Sequence, residues 1–151
     1  MRVDGFPTLE SYPTVHHLVA DVSAEIAPGR DALDVLESLF PGGSITGAPK
    51  LRSMEAIGDL EGEGRGFFTG SAGFLGLDGR AAFNILIRTL IHRRSPGGDE
   101  ISFHVGGGIT WNSNPLHEDE ETLLKAEGLG RALSASSPDG SVGTESATFG
   151  G

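Results

Sequence analysis

The sequence predicts a mixed α/β chain, in which strand-like runs alternate with runs of helical spacing. Three observations carry that prediction. Thr14 to Val22, TVHHLVADV, is rich in β-branched residues and lies between a proline and a charged turn, as strands do. From Asp31 to Phe40 the apolar residues Ala32, Leu33, Leu36, Leu39 and Phe40 recur at helical intervals until Pro41-Gly42-Gly43 stops them. Asp78-Gly79 separates two strand-like runs, FFTGSAGFLGL and RAAFNILIRTLIHRR, and such a pair is among the better short-range hairpin signals. Periodicity by itself leaves α+β and α/β both open.

Taken in order, the strand at 14–22 puts His16 and His17 on opposite faces. After the helix at 31–40 comes FPGGSITGAPK, small and compliant. Pro49 then suits a first helical turn, and Leu51, Met54, Ile57 and Leu60 follow at intervals of three before Glu61-Gly62-Glu63-Gly64 ends the pattern. In the second arm of the hairpin, alternation places Asn84, Leu86, Arg88 and Leu90 on one face and Phe83, Ile85 and Ile87 on the other. Ile101 to Val105 reads as a further short strand, and GGGITWNSNP is too rich in turn residues to extend it. A helix is expected from about His117 to Leu133, its acidic start HEDEET complementing the dipole. The segment 134–151 lacks apolar content and reads as a disordered tail after one domain at 1–133.

Composition narrows the function classes. A length of 151 residues with 37% apolar content suffices for one ordinary core. The 24 glycines cluster at 42–47, 70–79, 96–97 and 106–108, which makes them loop devices rather than a repeat. With no cysteine, thiolate metal sites, disulfides and a cysteine nucleophile are excluded, which is compatible with a reducing cytoplasm. The formal charge of −10 speaks against nucleic acid as a partner. No stretch approaches the roughly 18 apolar residues of a membrane span, and the start MRVDGFPTLE has no leader pattern. The expectation is a soluble, cytoplasmic chain.

The glycine loops fail the phosphate-binding patterns. Gly42 and Gly47 are followed by Ala48, Pro49 and only then Lys50, so no lysine stands where a phosphate-cradling loop requires it. Gly106-Gly107-Gly108 follows a strand, yet no helix begins at once. Both loops still offer unobstructed backbone N–H groups to an anion, which can be a carboxylate; a tight turn without ligand is the plainer reading of each.

PGGSITGAPK, NILIRT and GGGITWNSNPLHEDEETLLKAE, in that order, resemble the C-terminal half of the chorismate-utilising enzymes, the family of anthranilate synthase and aminodeoxychorismate synthase component I and of isochorismate and salicylate synthases. The resemblance spans residues 2 to about 133 and implies the anthranilate-synthase-type fold, mostly antiparallel strands with flanking helices. It implies chorismate as substrate and Mg²⁺ as cofactor, with Glu118 of Ser113-Asn114-Pro115-Leu116-His117-Glu118 as a metal ligand; oxygen donors suit that hard cation. Arg88 corresponds to the arginine that grips a substrate carboxylate, a task for a planar bidentate donor. Gly106, Gly107 and Gly108 correspond to the loop whose amides approach the substrate, His17 and Ser44 to residues lining the ring, and Lys125 to a lysine on the helix of Glu118. A spacing of seven puts Glu118 and Lys125 two turns apart on one helix face. Without the motifs, Arg88 reads as an arginine snorkelling from an edge strand, Glu118 as a first-turn acid, and His17 as a partly buried structural histidine.

Within the family, FPGGSITGAPK and FNILIRT look most like aminodeoxychorismate synthase component I. That resemblance implies amination of chorismate at C4 toward 4-aminobenzoate and folate, with ammonia from a glutamine amidotransferase subunit. The family's upstream half, with a second metal glutamate and a nucleophilic lysine, has no counterpart here, and the chain's two lysines, Lys50 and Lys125, lie in no such motif. A C-terminal fragment, inactive alone and catalytic only with a complementary N-terminal half, is therefore expected. An anthranilate or isochorismate synthase fragment, or a non-catalytic chorismate- or partner-binding remnant, are the other readings.

Overall fold

The computed structural model describes residues 1–12 and 15–135. Its elements are β1 (Arg2–Tyr12), β2 (Val15–Ser23), α1 (Ala32–Leu39), α2 (Gly43–Thr46), α3 (Lys50–Glu61), β3 (Ser71–Leu75), β4 (Ala81–Ile85), β5 (Ile91–Ser95), β6 (Gly98–Ser102) and α4 (Pro115–Ala135). The strands form three separate two-stranded antiparallel ladders, β1 with β2, β3 with β4 and β5 with β6. This is the mixed α/β, antiparallel architecture expected from the sequence. The contacts divide the chain into two units, residues 1–38 and 39–151.

In the first unit, β1 pairs Leu9 with Leu18 and Glu10 with His17, and its register shifts between Asp4 and Thr8. Gly5 takes a φ of 61° at that irregularity, and the Thr8 hydroxyl donates to its carbonyl at 2.5 Å. Arg2–Tyr12 reads as no strand in sequence, because glycine and proline interrupt it; pairing with β2 supplies what propensity does not. Helix α1 is opened by Asp31, whose Oδ1 accepts from the Leu33 and Asp34 amides at 2.8 and 3.2 Å, an N-cap arrangement. The Asp31 amide in turn donates to Asp34, and with the Arg30 guanidinium at 2.8 Å it holds the Asp34 carboxyl below its ordinary range.

In the second unit, the loop FPGGSITGAPK closes into the single turn α2 and passes into α3. Gly47 takes a φ of 96°, and a Cβ there would stand 3.0 Å from the Ser53 hydroxyl, so glycine is required on two counts. Pro49 occupies the cap position and α3 ends at Gly62 in the left-handed conformation. Lys50 reaches back to donate to the Leu39 carbonyl at 3.2 Å, clasping the two ends of the loop.

Asp78-Gly79 makes the expected hairpin. Gly79 has a φ of 82°, the Gly76 amide donates to the Arg80 carbonyl at 2.7 Å, and Asp78 accepts from both the Arg80 amide and its side chain. The second arm differs from the sequence reading. β4 ends at Ile85, residues 86–90 are irregular, and a separate strand β5 begins at Ile91. Arg88 takes a φ of 49°, which no strand residue adopts, so its alternation with Asn84, Leu86 and Leu90 does not hold. β6 likewise runs Gly98–Ser102 rather than Ile101 to Val105, because it is the return arm of a tight turn from β5. Helix α4 begins two residues before His117 and continues through Ala135; the rest of the expected tail lies outside the described residues.

Among the described residues none is buried. No helix of the described residues is long and apolar enough to cross a membrane.

Candidate functional site

The segment from Gly106 to Thr122 builds one concavity of the second unit. Its lining includes Gly107, Ile109, Ser113, Pro115, Glu118 and Thr122, around an open space of about 310 Å³. The local sequence explains the shape. The Ser113 hydroxyl accepts from the Thr110 amide at 2.9 Å while the Ser113 amide donates to the Thr110 carbonyl at 3.1 Å, folding residues 110–113 into a turn. Asn114 then caps α4, its Oδ1 accepting from the Leu116 and His117 amides at 3.0 and 3.4 Å, and Pro115 takes the first helical position, where no N–H is needed. The motif Ser113-Asn114-Pro115 is thus the device that turns the chain from loop to helix and sets Glu118 on the helix's first turn.

Gly107 lies against that helix. A Cβ built on it would stand 3.3 Å from Glu118 Oε2 and 3.6 Å from the Thr122 hydroxyl. Any larger residue would press on the carboxylate or push the loop away. The Glu118 carboxylate is half-buried and makes no hydrogen bond or ion pair with the described residues.

Two turns on, Lys125 does something the sequence did not announce. Its amine donates to the Gly106 carbonyl at 3.0 Å and pairs with Glu121 at 2.6 Å. The ammonium holds the Glu121 carboxyl below its ordinary range. Lys125 therefore ties the glycine loop to α4, and the one-face geometry expected from the spacing of Glu118 and Lys125 delivers them to adjacent residues of the loop, Gly107 and Gly106.

The other candidates sit elsewhere. Arg88 is exposed on the irregular segment after β4, makes no hydrogen bond or ion pair with the described residues, and is not among the residues lining the concavity. Ser44 is exposed in α2, whose leading Gly42 packs near Ile85 of β4. His17 belongs to the first unit, where its ring meets Tyr12 edge-on at 5.9 Å and 84°. Tyr12 donates to Glu10 at 2.8 Å, and that carboxylate raises the phenol above its ordinary value.

Sequence reasoning missed a second set of contacts on the glycine loop. Phe68 and His104 stack at 5.4 Å and 19°, and the Arg65 guanidinium lies 5.8 Å from the Phe68 ring. Arg65 also forks onto Glu61, with Nε and Nη2 donating at 2.8 and 2.6 Å. The hydrogen bonds from Arg65 lower the Glu61 carboxyl, and Glu61 in turn raises the guanidinium. Only the i,i+4 spacing of Glu61 and Arg65 was available to a reader of the sequence.

As a metal site the arrangement is partial. Among the described residues no group of three or more histidines or acids converges. An unpaired carboxylate facing an open concavity does fit Mg²⁺, which takes one or two protein carboxylates and fills the rest of its shell with water and substrate oxygens.

Comparison with known proteins places the chain in a family. Residues 1–131 match the profile of the chorismate binding enzymes. The chain is 42% identical to aminodeoxychorismate synthase component 1 of Bacillus subtilis (strain 168) over 136 residues, which is 90% of this chain and 28% of that protein. It is 42% identical to anthranilate synthase component 1 of Aquifex aeolicus (strain VF5) over 133 residues, 88% of this chain and 26% of that protein. With aminodeoxychorismate synthase of Streptomyces griseus it shares 39% over 130 residues, 17% of that protein. The chain thus spans no more than about 28% of the length of these relatives. It belongs to the family of chorismate binding enzymes.

Proposed function

We propose that this chain supplies the C-terminal part of a cytoplasmic, Mg²⁺-dependent aminodeoxychorismate synthase, which exchanges the C4 hydroxyl of chorismate for an amino group with ammonia from a glutamine amidotransferase subunit, toward 4-aminobenzoate and folate. The observation that carries the reading is the approach of Gly107 to Glu118, too close for an unhindered Cβ, in an open concavity, inside a segment that matches the family from residue 1 to 131. On this reading the amides of Gly106, Gly107 and Gly108 receive a substrate carboxylate, and Lys125 keeps that loop seated on α4. Arg88, with no partner among the described residues, supplies the bidentate grip on a carboxylate, and Ser44 lines the ring. Glu118 is one protein ligand of Mg²⁺, which when bound supplies Lewis-acid polarisation and a template for the dianion.

The rest of the site comes from the portion of the relatives that this chain does not span. The exposed apolar faces support that division. On β3–β4, Leu75, Phe83 and Ile85 of one face are 51%, 39% and 40% exposed and Phe74 of the other is 60% exposed, apolar surface that in a complete domain lies against other chain. The occupant we assign to it is the remainder of the chorismate-binding domain.

The test is complementation. The unmatched part of the Bacillus subtilis relative, produced as a separate polypeptide, is mixed with the 151-residue chain, chorismate, Mg²⁺ and ammonium, and the products are identified by mass spectrometry. Neither polypeptide alone is expected to turn over chorismate, and the mixture is expected to yield aminodeoxychorismate. Anthranilate as product would instead establish the second reading, to which the equal identity with the Aquifex anthranilate synthase gives support. Glu118→Ala in the mixture is expected to remove Mg²⁺-dependent turnover without loss of the complex. Turnover by the chain alone, or none by a stable complex, would reject the proposal.

A further inference from the structure

Gly107, which lines the concavity, is the middle of three consecutive glycines, and a glycine run has more backbone freedom to lose than any other sequence. For its amides to meet a ligand in one geometry it has to be held from outside, since it has no side chains of its own. One hold is Lys125, donating to the Gly106 carbonyl at 3.0 Å. Phe68 is the second neighbour of the loop, two of its ring carbons lying 3.7 and 4.0 Å from where a Gly106 Cβ would be, so that the ring flanks Gly106 and limits how far it can swing that way. Phe68 is itself fixed. His104 stacks on it at 5.4 Å and 19°, and Arg65, anchored by both carboxylate oxygens of Glu61, lies 5.8 Å from its centre.

We infer that His104 is a positioning residue: by stacking on Phe68, the ring that flanks Gly106, it fixes the Gly106–Gly108 loop against Glu118. His104 stands two residues before the loop, so the stack pins the chain where it leaves Ser102 and β6. Without it, the glycines hinge at their upstream end while Lys125 holds only one carbonyl. The role belongs to a flat ring that fits Phe68, and the imidazole charge is not needed for it. The functional weight of this brace rests on the reading that the loop amides receive a carboxylate of chorismate.

The experiment separates the brace from that reading. In the isotopically labelled 151-residue chain, NMR is expected to show cross-relaxation from the Phe68 ring to the His104 ring and to the Gly106 α protons. His104→Ala is expected to shift the Gly106, Gly107 and Gly108 amides and leave Ala72 to Phe74 of β3 in place, and His104→Phe is expected to restore the loop signals. In the complemented enzyme, His104→Ala is expected to raise KM for chorismate about tenfold, the scale set by losing one aromatic pair, with kcat changed far less. His104→Phe should lie within about twofold of the parent on the same scale. Should His104→Ala fail to fold, Phe68→Leu, which keeps the apolar bulk and removes the ring, gives the same readout. Absent Phe68–Gly106 cross-relaxation in the parent, or loop amides indifferent to His104→Ala, overturns the inference. So does a His104→Phe variant that behaves as the alanine does. Intact cross-relaxation and loop shifts in a complex that ignores chorismate would leave the brace standing and reject the substrate instead.

Discussion

Two hairpins of the second unit, β3–β4 and β5–β6, are of equal strand length and antiparallel, and differ in what they present to their surroundings. On β5–β6, Arg93 faces Glu100 across the ladder with a 3.2 Å ion pair, and His92 meets Asp99 at 2.8 Å. Those cross-strand pairs satisfy one another and water. On β3–β4 the residues sharing a face with Phe83 are Ser71, Gly73, Leu75, Ala81 and Ile85, and the opposite face carries Ala72, Phe74, Ala82 and Asn84. Apolar side chains on both faces are the pattern of strands covered on both sides, whereas alternation marks a sheet with one wet face. One hairpin is finished as a surface, and the other is finished only when another layer covers it.

The largest effect that would sharpen this contrast lies at Phe74. Phe74→Ala is expected to weaken association with the complementary polypeptide about 100-fold, the equivalent of roughly 3 kcal/mol for burying a large aromatic side chain, as read by titration calorimetry. Unchanged affinity would mean that this face stays in water. Next is Gly73, where a Cβ would come within 2.5 Å of the Phe83 ring and 2.0 Å of the Ala82 carbonyl oxygen. Gly73→Ala is expected to destabilise the β3–β4 ladder by roughly 1–3 kcal/mol, the usual cost of overpacking, seen as faster amide exchange of Ala72 and Phe74 with β5–β6 unaltered. The smallest effect is on the charged hairpin. A double-mutant cycle on Arg93 and Glu100 should return about 0.2–1 kcal/mol, falling in high salt, and no change in complementation. A large coupling there, or lost association, would erase the distinction between the two hairpins.

Much of the fold was legible where a single residue type dictates a backbone state. Asp78-Gly79 announces its turn because glycine takes the φ of 82° without strain, and the acidic run HEDEET announces α4 because it complements the helix dipole, although the helix opens at Pro115, two residues before the expected His117. The strand break at 86–90 was not legible. Arginine seldom takes a φ of 49°, so nothing in NILIRT distinguishes a strand that continues from one that turns aside at Arg88. β1 was hidden for the opposite reason, since its residues have poor strand propensity and its order comes from β2. In the site, the shared helix face of Glu118 and Lys125 followed from spacing alone. That Lys125 would engage the Gly106 backbone, and that Phe68 would meet His104 across 36 residues of sequence, are products of tertiary contact that no local pattern encodes.

The lysine tether has a mechanical consequence. Because Lys125 clamps Gly106 to the helix that carries Glu118, the loop and the acid translate together like one jaw. A molecule that drew the Gly106 end of the loop inward would carry the carboxylate along.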